Sequence, residues 1–106
     1  MTQTRQGSLS PASAAPATGE RFEAVLDHLN VAIRQILSGH TDTPQEFLQD
    51  DDEWVVVLAG EALIDVDGER LGLEPGDWVF LPARVPHTVL ETVAGTIWLA
   101  VHVRPA

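Results

Sequence analysis

The chain has neither cysteine nor tyrosine among its 106 residues. The first absence excludes disulfides, thiolate nucleophiles and Cys-based zinc or iron–sulfur sites. Both absences thin the supply of acid–base and nucleophilic groups. Basic residues are scarce too: 6 Lys plus Arg stand against 16 Asp plus Glu, a net charge of −10. Phosphate neutralisation needs clustered cations, so neither nucleic acid nor an anionic membrane surface is an expected partner. The acidity serves solubility, or it attracts cations, including metals. No apolar run approaches the roughly 18 residues of a membrane span. The N-terminus carries one basic residue, Arg5, and no apolar run after it. A signal peptide is therefore not expected, and a cytoplasmic location is. Phosphate-binding Gly loops, G-x-S-x-G and dinucleotide fingerprints are all missing.

What remains is enough for one domain with one modest core, since 44% of residues are hydrophobic. Residues 1–20, "MTQTRQGSLSPASAAPATGE", have almost nothing to bury and read as a disordered or loosely attached arm. Residues 21–106 read as a single β domain. Within it, residues 21–38 are ambiguous. Phe22, Val25, Leu26, Leu29, Ile33, Ile36 and Leu37 fit helical spacing. "RFEAVL" and "VAIRQILS" also read as two strands around the turn-like "DHLN". From Glu53 onward, short β-branched runs alternate with turn signals such as Asp67-Gly68 and "EPGD", the pattern of a sandwich or barrel. "WVVVL" and "TIWLAVHV" are apolar on both faces, which calls for a second covering layer. In so short a chain a homodimer supplies that layer economically. Trp54 and Trp98 either fill such a contact or sit in the core.

Two stretches carry a specific resemblance. "GDWVFLPARVPH" resembles the second signature of the cupin superfamily, with Gly76 and Pro82 at the family spacing and His87 where the family's metal-binding His lies. "DEWVVVLAGEA" looks like the end of the first signature, with Glu53 followed after six residues by Gly60. The resemblance covers roughly residues 31–103. It implies an all-β, double-stranded β-helix of the jelly-roll barrel type, and two strands rather than a helix over 21–38. It also departs from the family pattern. The two His that usually precede the Glu would fall at 49 and 47, which here are Gln49 and Phe47. Arg84 stands where a second Gly is usual, and Glu91 where an Asn is usual.

The resemblance implies a divalent metal (Mn, Fe, Ni or Zn) held by Glu53, His87 and Gln49, though so thin a donor set is also compatible with no metal. His40 or His102 could restore a ligand. Alternation places Glu53, Val55 and Val57 on one face of a strand. If that face is interior, the carboxylate is interior and needs a partner such as His87. The other reading of Glu53 is the last member of a solvated turn, which is the expected state of Asp50, Asp51 and Asp52. Phe47, Val55, Val57 and His102 are the expected pocket lining. Three functions stay open: a barrel binding a small polar molecule, a metal-dependent oxygenase, isomerase or lyase, and a dimeric scaffold whose barrel is filled by Phe47, Trp78 and Phe80.

Overall fold

A computed structural model describes residues 4–106, so residues 1–3 of the expected arm lie outside it. Nine strands follow a short 3-10 turn at Ala12–Ala14. They are β1 (Glu20–His28), β2 (Val31–Ser38), β3 (Gln45–Phe47), β4 (Asp52–Ala59), β5 (Ala62–Val66), β6 (Glu69–Leu73), β7 (Trp78–Leu81), β8 (His87–Thr92) and β9 (Thr96–Val103). Two antiparallel sheets face each other, one ordered β1-β2-β9-β4-β7 and the other β3-β8-β5-β6. This is the expected jelly-roll barrel. Residues 21–38 form a hairpin around Leu29-Asn30, not a helix.

The helical spacing of that hairpin has a local cause. The β1–β2 register shifts between Ala24 and Leu26, so Val25 is an extra residue in the strand. A bulge of this kind breaks strict alternation and lets apolar residues recur at three- and four-residue intervals. Asp67-Gly68 behaves as its composition requires: both residues have positive φ, 51° and 87°, as in a type I′ turn.

The core lies between the sheets. Val55, Val57 and Leu81 point inward from the larger sheet, together with Trp98 and Ala100 on β9. Ile64, Leu73 and Val89 meet them from the smaller sheet. Trp98 is therefore core, and it is not available for a contact between subunits. Trp54 faces the other way. With Trp78, Phe80 and Val56 it occupies the outer side of β4 and β7, where Trp78 is 61% and Phe80 51% exposed. Trp78 and Phe80 thus cannot fill the barrel.

The N-terminal segment is tied down from Ser10 onward. Gln35, buried on the outer side of β2, donates its amide to the Ser10 carbonyl and accepts from the Ser10 N–H, both at 2.8 Å. The Ser10 hydroxyl donates to Glu23. Farther along, Gly39 and His40 donate backbone N–H groups to Gly19 and Ala17. A Cβ on Gly39 would lie 2.3 Å from the Pro16 carbonyl oxygen, so glycine is what lets the segment cross here. The outer side of β2 around Gln35 is thereby covered from within the chain, while β1 stays largely exposed.

Candidate functional site

A cavity of about 280 Å³ opens inside the barrel between the two sheets. Its lining brings together Glu53, His87, Gln49, Phe47, Val55 and His102, six of the seven residues expected there. Val57 is not among them. It points inward but lies deeper, fully buried in the core.

Glu53 is interior, on the same face of β4 as Val55 and Val57. It is 6% exposed and sits in register with Leu81 on β7 and His102 on β9. A buried carboxylate needs partners. Gln49 supplies one, its Nε2 donating to Glu53 Oε1 at 2.9 Å. His102 is the other, with Nε2 3.8 Å from Glu53 Oε2. On its far side His102 Nδ1 lies 3.2 Å from Asp51 Oδ2, close enough for an ion pair but not aligned as a hydrogen bond. The three aspartates therefore do not act as one solvated turn. Asp50 is the exposed member. Asp51 turns back to His102. Asp52 accepts the Ala83 N–H at 2.8 Å and holds the β7–β8 loop against the start of β4.

His87 enters from the opposite sheet. The β3–β8 register sets it beside Phe47, and the rings stack with centroids 5.4 Å apart and 14° between planes. Its Nδ1 is buried with no hydrogen-bond partner. Burial pushes the imidazole below its ordinary pKa of 6.5; the charge of Glu53 and the neighbouring Val85 backbone oppose the shift, and His102 adds to it.

The polar groups of the cavity do not assemble a metal centre. Among the described residues no three His, Asp or Glu side chains are grouped so as to hold an ion. The donor chemistry agrees. One of the expected imidazoles is Phe47, which stacks on His87. The other is Gln49, whose amide N–H already occupies one Glu53 oxygen. Glu53 and Gln49 are instead hydrogen-bonded to each other.

Four more lining residues come from β1 and β2: Glu20, the last residue of the expected arm, and Phe22, Arg34 and Ile36 from the segment read as ambiguous. The Glu20 carboxylate accepts from the Ser38 hydroxyl at 2.9 Å, and Ser38 Oγ accepts from Trp98 Nε1 at 3.0 Å. Burial raises the Glu20 pKa above 4.5, the Ser38 hydrogen bond lowers it again, and the charge of Glu53 raises it further. A carboxyl whose folded pKa lies above its unfolded value stabilises the fold below 4.5, and loses that contribution as pH rises through the folded value. Glu20→Gln is accordingly expected to flatten the decline of the urea midpoint above pH 4.5. An unchanged profile would show that Glu20 keeps its ordinary pKa.

Arg84 explains one departure from the signature. It has φ 64°, in the left-handed region where glycine is unstrained. Its N–H donates to the Gln49 carbonyl at 2.8 Å, which sets the loop bearing Gln49. The side chain gains little, meeting Asp50 at 3.7 Å with both groups largely exposed. Arg84→Gly keeps the backbone bond and relieves the strain, offset in part by added unfolded-state entropy. It is expected to raise stability by up to about 1 kcal/mol in urea unfolding. A lower midpoint would mean that the side chain contributes more than the strain costs.

Comparison with known proteins agrees with this geometry. Residues 33–102 match the family described as Cupin domain. Among solved structures, a protein of Ralstonia eutropha JMP134, provisionally named a mannose-6-phosphate isomerase, is 32% identical. That match covers 93% of this chain and 100% of the other, with a TM-score of 0.79. An RmlC-like cupin from Shewanella frigidimarina NCIMB 400 is 20% identical over 99% of this chain and 96% of its own, with a TM-score of 0.70. KdgF from Halomonas sp. shares the fold at 15% identity, covering 83% of this chain and 81% of its own, also at 0.70. No curated protein matches. From the barrel topology, the inward Glu53 and His87, and the match over residues 33–102, the chain belongs to the cupin family.

Proposed function

We propose that this cupin binds a small polar molecule in its barrel without a bound metal ion. One observation carries the reading: a cavity of about 280 Å³ stays open between the sheets while Glu53, the remaining carboxylate of the motif, is bonded to Gln49. The volume lies near the lower end of ligand pockets, roughly 300 Å³, so the ligand is small. Metal analysis of protein purified without a His tag is expected to find no near-stoichiometric Mn, Fe, Ni or Zn, while polar compounds raise the melting temperature by mass action. Stoichiometric metal lost in Glu53→Ala or His87→Ala would overturn the metal-free part. Failure of any compound to bind would overturn the rest.

Acid–base catalysis in the same cavity is the second reading, favoured by the unpartnered Nδ1 of His87 and by His102 lying between two carboxylates. The Ralstonia relative's provisional name suggests sugar phosphates among the compounds to try.

We also propose that two copies pair through the outer face of β4, β7 and β9. The chain's own N-terminal segment covers the β2 part of that face around Gln35. On the β4–β7 half, Trp54 and Trp78 lie with ring centroids 6.0 Å apart and tilted by 33°, beside Phe80 and Val56, with no cover among the described residues. Among the described residues no helix is long and apolar enough to cross a membrane. The absence of cysteine suits the reducing cytoplasm, where we place the protein.

A further inference from the structure

We propose that Arg34 and Glu20 form the anchoring pair of the cavity. Arg34 takes an anionic group of the ligand, and Glu20 takes a hydroxyl. The inference rests on the reading of the cavity as a small-molecule site and names the ligand class: a small hydroxylated anion.

Arg34 is the one Arg or Lys in the lining, which otherwise offers Glu20, Glu53, Gln49, His87 and His102 as polar groups. In a chain with 16 acids and 6 basic residues, an arginine has many carboxylates to choose from. Arg21, Arg84 and Arg104 each take one, whereas Arg5, Arg34 and Arg70 take none among the described residues, and of these three only Arg34 lines the cavity, at its exposed rim. Arg34 has no acidic partner within ion-pair distance among the described residues, although the cavity it lines also holds two carboxylates. A guanidinium left unpaired beside a cavity is suited to bidentate binding of a carboxylate or phosphate.

Glu20 is held the way a ligand-binding group needs to be. The chain Trp98 to Ser38 to Glu20 fixes Oε2, with Ser38 fully buried and Trp98 4% exposed. Oε1 has no protein partner among the described residues. One oxygen is thus oriented by the core and the other is left for something in the cavity. The two anchors spring from well-separated backbone positions. Glu20 is in register with Ser38, and Arg34 lies four residues earlier on β2, roughly 13 Å along the strand. Phe22, Ile36 and Trp98 line the cavity with them. The anion and the hydroxyl must therefore sit at different ends of a carbon skeleton, which packs on that apolar lining.

Calorimetry with D-gluconate, D-glucose 6-phosphate, D-glucose and hexanoate on the full-length protein tests this. Wild type is expected to bind the two hydroxylated anions more tightly than glucose. Whichever of gluconate and glucose 6-phosphate binds more tightly identifies the anion as carboxylate or phosphate. Arg34→Gln should weaken both by tenfold or more, with Arg34→Lys intermediate. Glu20→Gln should weaken gluconate severalfold and leave hexanoate unchanged. Thermal melts of each variant confirm that it folds. If glucose binds as tightly as gluconate, or Arg34→Gln leaves the anions unaffected, the anchoring pair is wrong while the cavity remains a binding site. If no probe binds at millimolar concentration, both the pair and the cavity reading fall.

Discussion

Gly60→Ala is expected to lower folding stability by about 3 kcal/mol or more, the sum of an overpacked contact and a strained backbone. Gly60 closes β4 with φ 81°, a conformation that costs a side chain roughly 1 kcal/mol even in open space. Here space is also missing. A Cβ would lie 2.3 Å from Thr96 Oγ1 and 2.6 Å from Thr96 Cα. The threonine cannot move aside cheaply. It is fully buried, its hydroxyl lies 2.8 Å from the Val93 carbonyl and 3.1 Å from that of Glu61, and it accepts the Glu61 N–H. Gly68→Ala is the control, since Gly68 has φ 87° with nothing within 4 Å, so only the conformational cost of about 1 kcal/mol applies. Urea unfolding of both variants separates the two terms. Equal losses would show that crowding against Thr96 is not the reason for glycine at this signature position.

Trp78→Glu combined with Phe80→Lys is expected to turn a dimer into a monomer at micromolar concentration. Both residues lie on the uncovered half of the outer sheet face, at 61% and 51% exposure. Central aromatics at such faces commonly contribute about 2 kcal/mol or more each on truncation. Losing both, on each of the two subunits, then weakens association by roughly a thousandfold or more. Neither residue touches the cavity, so ligand binding and the melting temperature of the monomer should change little. Sedimentation equilibrium reads the outcome directly. A wild-type mass of one chain at micromolar concentration would remove the dimer proposal, and a double variant that still dimerises would move the interface elsewhere.

Much of the barrel was legible because its strands alternate cleanly. Glu53, Val55 and Val57 alternate with Trp54 and Val56, and once the valines are placed in the core the carboxylate must follow. Alternation separates two faces without saying which is inner. That is why Trp54 and Trp98 could not be told apart, and why Trp78 and Phe80 were weighed as barrel filling. The least legible part was the wall made by β1 and β2. Its bulge at Val25 disguised two strands as a helix, and Glu20 looked like the tail of a polar arm. The alternation of Glu20 with Phe22, and of Arg34 with Ile36 and Ser38, was the available signal. Asp51 was missed for a different reason. Its partner His102 is remote in sequence, and only the β4–β9 register brings them together.

The placement of the three tryptophans gives the molecule a built-in optical reporter. With no tyrosine in the chain, near-ultraviolet emission comes from Trp54, Trp78 and Trp98 alone. Two of these lie together on the outer face, and the third lines the cavity with its indole N–H bonded to Ser38. Replacing Trp54 and Trp78 with phenylalanine would leave Trp98 as the one indole, in the proposed ligand cavity and shielded from water. Its intensity and wavelength could then follow occupancy of the barrel in real time without any added dye.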